Sequence, residues 1–151
     1  MELWELSARE HIRDTLARYN WSGDAMRLPE LASSFCTDGE LELRGGTPVR
    51  GREAIVEFLG GAVASPNAVA EESGVRRIVR HSVTNIRFTE MTPERAEVAC
   101  YFTVVTEIGL DHYGRYRDVF VPVGSPEDTE WLIRHRFVST DWHAPNSTMA
   151  G

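Results

Sequence analysis

His81 is the side chain of this chain best suited, by type and by setting, to move a proton. It stands between Val79 and Val83 in an alternating stretch, and successive side chains of a strand point to opposite faces. An imidazole titrates near neutrality. It can take a proton from a carbon beside a carbonyl and return one to a departing hydroxyl. On its own segment alone, His81 is either such a base or a core histidine satisfied by a main-chain carbonyl. Asp24 and Tyr19 are the right kinds of partner. A carboxylate can fix an imidazole tautomer and balance its cationic form. A phenol can donate a hydrogen bond to a developing enolate. Without that role, Asp24 is a polar turn residue after Gly23, and Tyr19 is a core aromatic with a wetted hydroxyl.

A second rank of polar and aromatic residues could contact a ligand. Tyr116 and Asp118 share a strand face with Phe120; otherwise Asp118 pairs on the surface with an arginine such as Arg115 or Arg136. His135 alternates with Trp131, Ile133 and Phe137, an apolar set, and so reads as pointing inward, like Tyr101 a pocket candidate. Phe35 completes the apolar side of a short helix, and Trp142 stands where a rim would close. Asp141 and His143 have the spacing of two strand ligands but lack an obvious third, so no metal site is expected. No glycine-rich phosphate loop and no nucleophile elbow occurs, so no cofactor is expected either.

Periodicity places these residues on a sheet. Residues from about Arg76 to Trp142 read as four strands: Arg76 to Phe88, Arg95 to Ile108, Arg115 to Val123, and Trp131 to about Trp142. In the second of these, Ala96, Val98, Cys100, Phe102, Val104, Thr106 and Ile108 make a nearly all-apolar face. Such a face needs a cover, and the first half of the chain offers helices. Ser7 with Glu10 resembles a capping box, predicting a helix to about Asn20 with Ile12, Leu16 and Tyr19 in one stripe and Gly23 as its stop. A short helix follows Pro29, Thr37-Asp38-Gly39 is a turn, Glu40 to Arg44 a short strand, and Arg52 to Leu59 a third helix. Ala64 to Gly74 and Gly109 to Gly114 read as loops, the former as a flap, and His143 to Gly151 as a frayed tail.

The totals bound the class. A chain of 151 residues is expected to be one domain with one core. A net charge of −7 argues against a nucleic-acid partner, which would need a basic footprint, although Arg76, Arg77, Arg80 and Arg87 lie close together. No stretch resembles a leader peptide or a membrane span, so a cytoplasmic protein is expected. Cys36 and Cys100, far apart in apolar settings, read as two buried thiols.

Six motifs in order resemble the SnoaL-like branch of the nuclear-transport-factor-2-like superfamily. They are Ile12-Arg13-Asp14-Thr15-Leu16-Ala17-Arg18-Tyr19, Phe35-Cys36-Thr37-Asp38-Gly39, Gly51-Arg52-Glu53-Ala54-Ile55, Arg80-His81-Ser82-Val83-Thr84-Asn85, Gly114-Arg115-Tyr116-Arg117-Asp118, and Trp131-Leu132-Ile133-Arg134-His135-Arg136. The resemblance spans about Ser7 to Trp142. It implies an α+β fold in which a cone-shaped, curved antiparallel sheet, closed by N-terminal helices, surrounds a pocket. Relatives of that kind include scytalone dehydratase, ketosteroid isomerases, polyketide cyclases and bile-acid dehydratases, which act on hydrophobic rings without a cofactor. In the dehydratases, a tyrosine and an aspartate spaced like Tyr19 and Asp24 meet a histidine placed like His81. The resemblance therefore implies a lyase or isomerase for a small hydrophobic cyclic hydroxy-ketone, working through a His–Asp dyad and a tyrosine. It equally admits a non-catalytic binding or assembly subunit of the dioxygenase small-subunit kind. It further implies a homo-oligomer, dimer or trimer, while the acidic charge and the lack of a long apolar run lead to the expectation of no nucleic-acid or membrane partner.

Overall fold

The structure, a computed structural model, describes residues 1–62 and 78–150. Its elements are α1 (Leu3–Asp24), α2 (Leu28–Ala32), β1 (Phe35–Leu43), β2 (Val49–Arg50), α3 (Arg52–Ala62), β3 (Arg80–Thr92), β4 (Arg95–Thr106), β5 (Gly109–Val123) and β6 (Glu130–His143). The strands form one open, curved sheet in the order β2-β1-β6-β5-β4-β3. The fold is α+β, as expected. The sheet is not wholly antiparallel, however: β3 to β6 form the antiparallel meander, while β1 lies parallel to β6.

The core forms where the two periodicities meet. Along β4, Ala96, Val98, Cys100, Phe102, Val104 and Thr106 are buried, whereas Ile108 lies past the strand's end and is exposed. The facing stripe of α1 is Ala8, Ile12, Thr15, Leu16 and Tyr19. Each large apolar side chain so buried contributes about 1.5–3 kcal/mol. Thr15 pins the helix to the sheet by donating to the Trp131 main-chain oxygen at 2.7 Å. The thiols of Cys36 and Cys100 are free and buried, and burial pushes that of Cys100 up to about 12, which leaves it inert.

Both ends of α1 differ from expectation. The helix begins at Leu3 rather than Ser7, because Trp4 packs on the core and Arg9 pairs with Glu5 one turn away. It also runs through Gly23. Arg27 N–H donates to the Ser22 oxygen at 2.9 Å and Met26 N–H to the Gly23 oxygen at 3.0 Å, a Schellman closure with Met26 at φ 56°. Glycine usually takes that left-handed place. With methionine there instead, Gly23 lies inside the helix and Asp24 is its last residue.

Three other segments are ordered where turns or loose ends were expected. Thr37-Asp38-Gly39 belongs to β1, at a register shift against β6. A Cβ on Gly39 would come within 2.8 Å of the Ile133 oxygen, so this close approach explains the glycine. Residues 109–114 are the first half of β5, paired with both β4 and β6. Residues 144–150 fold back on β5, with Ala144 buried and its N–H donating to the Asp111 oxygen at 2.7 Å. The expected flap at Ala64 to Gly74 lies outside the described residues. Among those described, no helix is long and apolar enough to cross a membrane.

Candidate active site

The last turn of α1 and the start of β3 bring Asp24 and His81 together. Asp24 holds the histidine at two points. Its Oδ1 lies 2.5 Å from His81 Nδ1, and its Oδ2 accepts the His81 main-chain N–H at 2.9 Å. A carboxylate can only accept, so the proton of a neutral ring sits on Nδ1 and Nε2 keeps its lone pair. Both side chains are largely shielded from solvent but not sealed. They form part of the wall of a cavity of about 570 Å³. The rest of that wall is mainly apolar, including Leu28, Leu31, Leu41, Val79, Phe102 and Val138. Asp24 and His81 also border a second hollow, beyond α1, which Arg13, Trp21, Arg80 and Ile86 line.

Tyr19 and Tyr116 also reach the first cavity, with ring centroids 6.0 Å apart. Behind them lies a fully buried ion pair. Arg136 donates to both oxygens of Asp118 at 2.8 Å, and neither side chain has any exposure. The guanidinium carbon is 3.8 Å from the Tyr116 ring centre and 4.2 Å from that of Tyr19. Burial opposes the arginine's charge most strongly, yet Asp118 outweighs it and the pKa is raised. Burial likewise raises both phenols, well above the ordinary value for Tyr116. Both therefore stay protonated and can donate. Tyr116 directs its hydroxyl to Asn20 Oδ1 at 3.4 Å.

Of the residues singled out by sequence, His81, Asp24, Tyr19, Tyr116 and Trp142 line the cavity. Four others are corrected. Tyr101 lies on the outer face of β4, 52% exposed, opposite in phase to Phe102. Phe35 is wholly buried beneath Tyr19. Asp118 is neither a ligand contact nor a surface residue, but the buried partner of Arg136. His135 faces outward and pairs with Glu42 at 2.9 Å. The cause is a bulge in β6: Val119 pairs with His135 but Phe120 with Ile133, so the extra residue Arg134 reverses the phase. Arg136 takes the inward place that simple alternation assigns to His135.

A second dyad escapes the sequence reading. His112 lines the cavity, its ring centre 6.4 Å from that of His81, and Asp111 Oδ1 lies 2.6 Å from its Nδ1. A bulge explains how sequence neighbours can pair in this way. Val104 faces His112 but Val105 faces Leu110, leaving Asp111 as the extra residue, turned inward. Burial lowers the His112 pKa, with Asp111 working the other way, so its ring favours the neutral form. The signal was present in the alternation His112, Gly114, Tyr116, Asp118, Phe120; the glycines at 109 and 114 concealed it as a loop. Among the described residues, no three His, Cys, Asp or Glu side chains converge as metal ligands.

A model of the SnoaL-like domain family matches residues 4–137. The chain belongs to the SnoaL-like family. Solved structures similar to this SnoaL-like protein include a candidate scytalone dehydratase from Novosphingobium aromaticivorans, at 22% identity and TM-score 0.73, covering 97% of this chain and 95% of that one. Another protein from the same organism, described as NTF2-like with a cystatin-like fold, gives 20% identity and TM-score 0.69 over 94% and 87%. ActVI-ORFA from Streptomyces coelicolor gives 17% and 0.70 over 88% and 97%. At such identities the likeness establishes the fold. No curated protein matches the sequence.

Proposed function

We propose that this SnoaL-like protein is a cofactor-independent lyase or isomerase of the dehydratase type, acting on a small hydrophobic cyclic hydroxy-ketone. The observation that carries this reading is the 2.5 Å contact between Asp24 and His81 at the wall of a largely apolar cavity. His81 Nε2 takes the proton α to the carbonyl, and Asp24 balances the imidazolium that forms. The electron pair released from the C–H bond moves onto the carbonyl oxygen as an enolate, which a protonated phenol, Tyr19 or Tyr116, stabilises by hydrogen bonding. When the enolate collapses, the β-hydroxyl leaves and takes a proton as water. The second imidazole, His112, stands beside His81 on the same cavity wall, its ring nearly perpendicular and its centre 6.4 Å away, so one bound substrate can meet both. Neutral and held through Nδ1, it can orient that hydroxyl through Nε2, while the imidazolium of His81 supplies the proton.

The test is turnover of a panel of cyclic β-hydroxy ketones, followed by the ultraviolet absorption of the enone formed. His81→Ala is expected to lose ~10²–10⁴-fold in kcat, the usual worth of acid–base assistance. Asp24→Asn should fall in the same range, with calorimetric binding of the ketone little changed in both variants. Undiminished turnover in His81→Ala would sink the mechanism. Tight binding with no turnover by the wild-type protein would instead support a ligand-binding or assembly subunit.

A further inference from the structure

The C-terminal segment meets the second imidazole through a single carboxylate. Asp111 is 1% exposed, and its Oδ1 lies 2.6 Å from His112 Nδ1 while accepting the Ser147 hydroxyl at 2.7 Å. Among the described residues its Oδ2 is buried without a partner, so these two bonds set the carboxylate's orientation. Its main-chain oxygen accepts the Ala144 N–H. Ser147 Oγ in turn accepts the N–H groups of Met149 at 3.2 Å and Ala150 at 3.0 Å. Those last two residues lie on the cavity wall, and Met149 packs against the core. One serine hydroxyl thus ties together the carboxylate that holds His112 and the turn that lays Met149 over the cavity.

We propose that residues 144–150 form a strap in which Ser147 is a positioning residue for His112 and Met149 bounds the apolar end of the substrate. The functional half of this inference rests on the reading of His112 as a group that orients the substrate hydroxyl; the positioning half stands on geometry alone. His112 faces the ionisable groups Asp111, His81 and His143. Of these, Asp111 alone forms a hydrogen bond with its ring, so freeing that carboxylate frees the ring. A methionine is a suitable wall for a ring of variable shape, because its thioether side chain is flexible and polarisable.

The experiment compares Ser147→Ala, Ser147→Thr and Met149→Ala in the full chain. His112 ring nitrogens are followed by nitrogen-15 NMR, which needs no substrate, and the tail by its rate of carboxypeptidase digestion. Ser147→Ala is expected to shift the His112 resonances and speed digestion. Ser147→Thr, which keeps the hydroxyl, should restore both. On a ketone that is turned over, Ser147→Ala should lower kcat roughly tenfold, the worth of one charge-assisted hydrogen bond. Met149→Ala should raise KM several-fold and leave the His112 resonances in place. Unmoved His112 resonances in Ser147→Ala, in a variant that melts cooperatively like the parent, would overturn the proposal. If no ketone is turned over but the resonances move and are rescued by threonine, the strap stands and the enzymatic reading is what fails.

Discussion

Arg136 shows what a single residue does for this cavity. It is the largest side chain with no exposure, and its charge is carried by Asp118 on one side and two tyrosine faces on the others. One of its terminal nitrogens, Nη1, is buried with no hydrogen-bond partner among the described residues. Such a pair is weak evidence for stability, because desolvation offsets most of the attraction. Its use here is geometric: the guanidinium plane fixes two phenol rings that must present donors to the cavity. Arg136→Met leaves Asp118 buried and uncompensated, so it should cost ~3–5 kcal/mol. The measurement is the urea midpoint at unchanged m-value. The double variant Arg136→Met, Asp118→Leu should recover much of that loss. It should nevertheless impair turnover, because the tyrosine rings lose their clamp. Full activity in the double variant would show that the pair has no positioning role.

At the scale of elements, two bulges and one helix end decide which side chains enter the site. Gly114 sits where β5 shifts register against β6, and a Cβ there would come within 2.0 Å of the Ser139 oxygen. Gly114→Ala must therefore push the strands apart. It should destabilise by ~1–3 kcal/mol, as overpacking does, and should displace His112, two residues away. Thermal melting and the ring spectra of His112 would report the two effects separately. Loss of stability without movement of His112 would mean that the β4 bulge alone sets that ring. These same devices mark the limit of what the sequence makes legible. Strand alternation in β4 and the stripe on α1 could be read directly, because period and burial agree there. His81 could be read as a candidate from its strand setting, but its pairing with Asp24, 57 residues away, comes from the resemblance to dehydratases. Bulges add one residue and reverse the pattern beyond them. Simple alternation therefore points His135 inward, while the glycines at 109 and 114 make the segment holding Asp111 and His112 read as a loop. Likewise, a left-handed Met26 does the work usually given to glycine, so Gly23 looked like a stop. The tail looked frayed because it is polar. Its order comes from Asp111, an anchor 36 residues away from Ser147 and invisible to local reasoning.

For the molecule as a whole, the candidate site and folding stability are linked through protons. Folding carries His112 into a setting where burial disfavours its charge, so its folded pKa lies below the unfolded value of about 6.5. Below that pH the unfolded chain binds a proton that the folded chain resists. Stability must then fall as pH drops through the window beneath 6.5 and rise again towards neutrality. Carboxylates contribute a loss of their own at lower pH, nearer 4, so the two causes separate along the pH axis. His112→Gln removes the imidazole while keeping a polar group opposite Asp111. Urea unfolding of the parent and this variant from pH 7.5 down to about 5 should give a steeper decline for the parent. Equal slopes would mean that the folded protein lets His112 charge freely, with Asp111 fully offsetting burial. The second imidazole would then take up a proton as readily as a free one when the pH falls through about 6.5, and folding would do nothing to keep it neutral. A steeper parental slope would establish that folding disfavours the charged form of His112. In the proposed dehydration that leaves one imidazole, His81, to take the proton from carbon, and the other to hold the hydroxyl that departs.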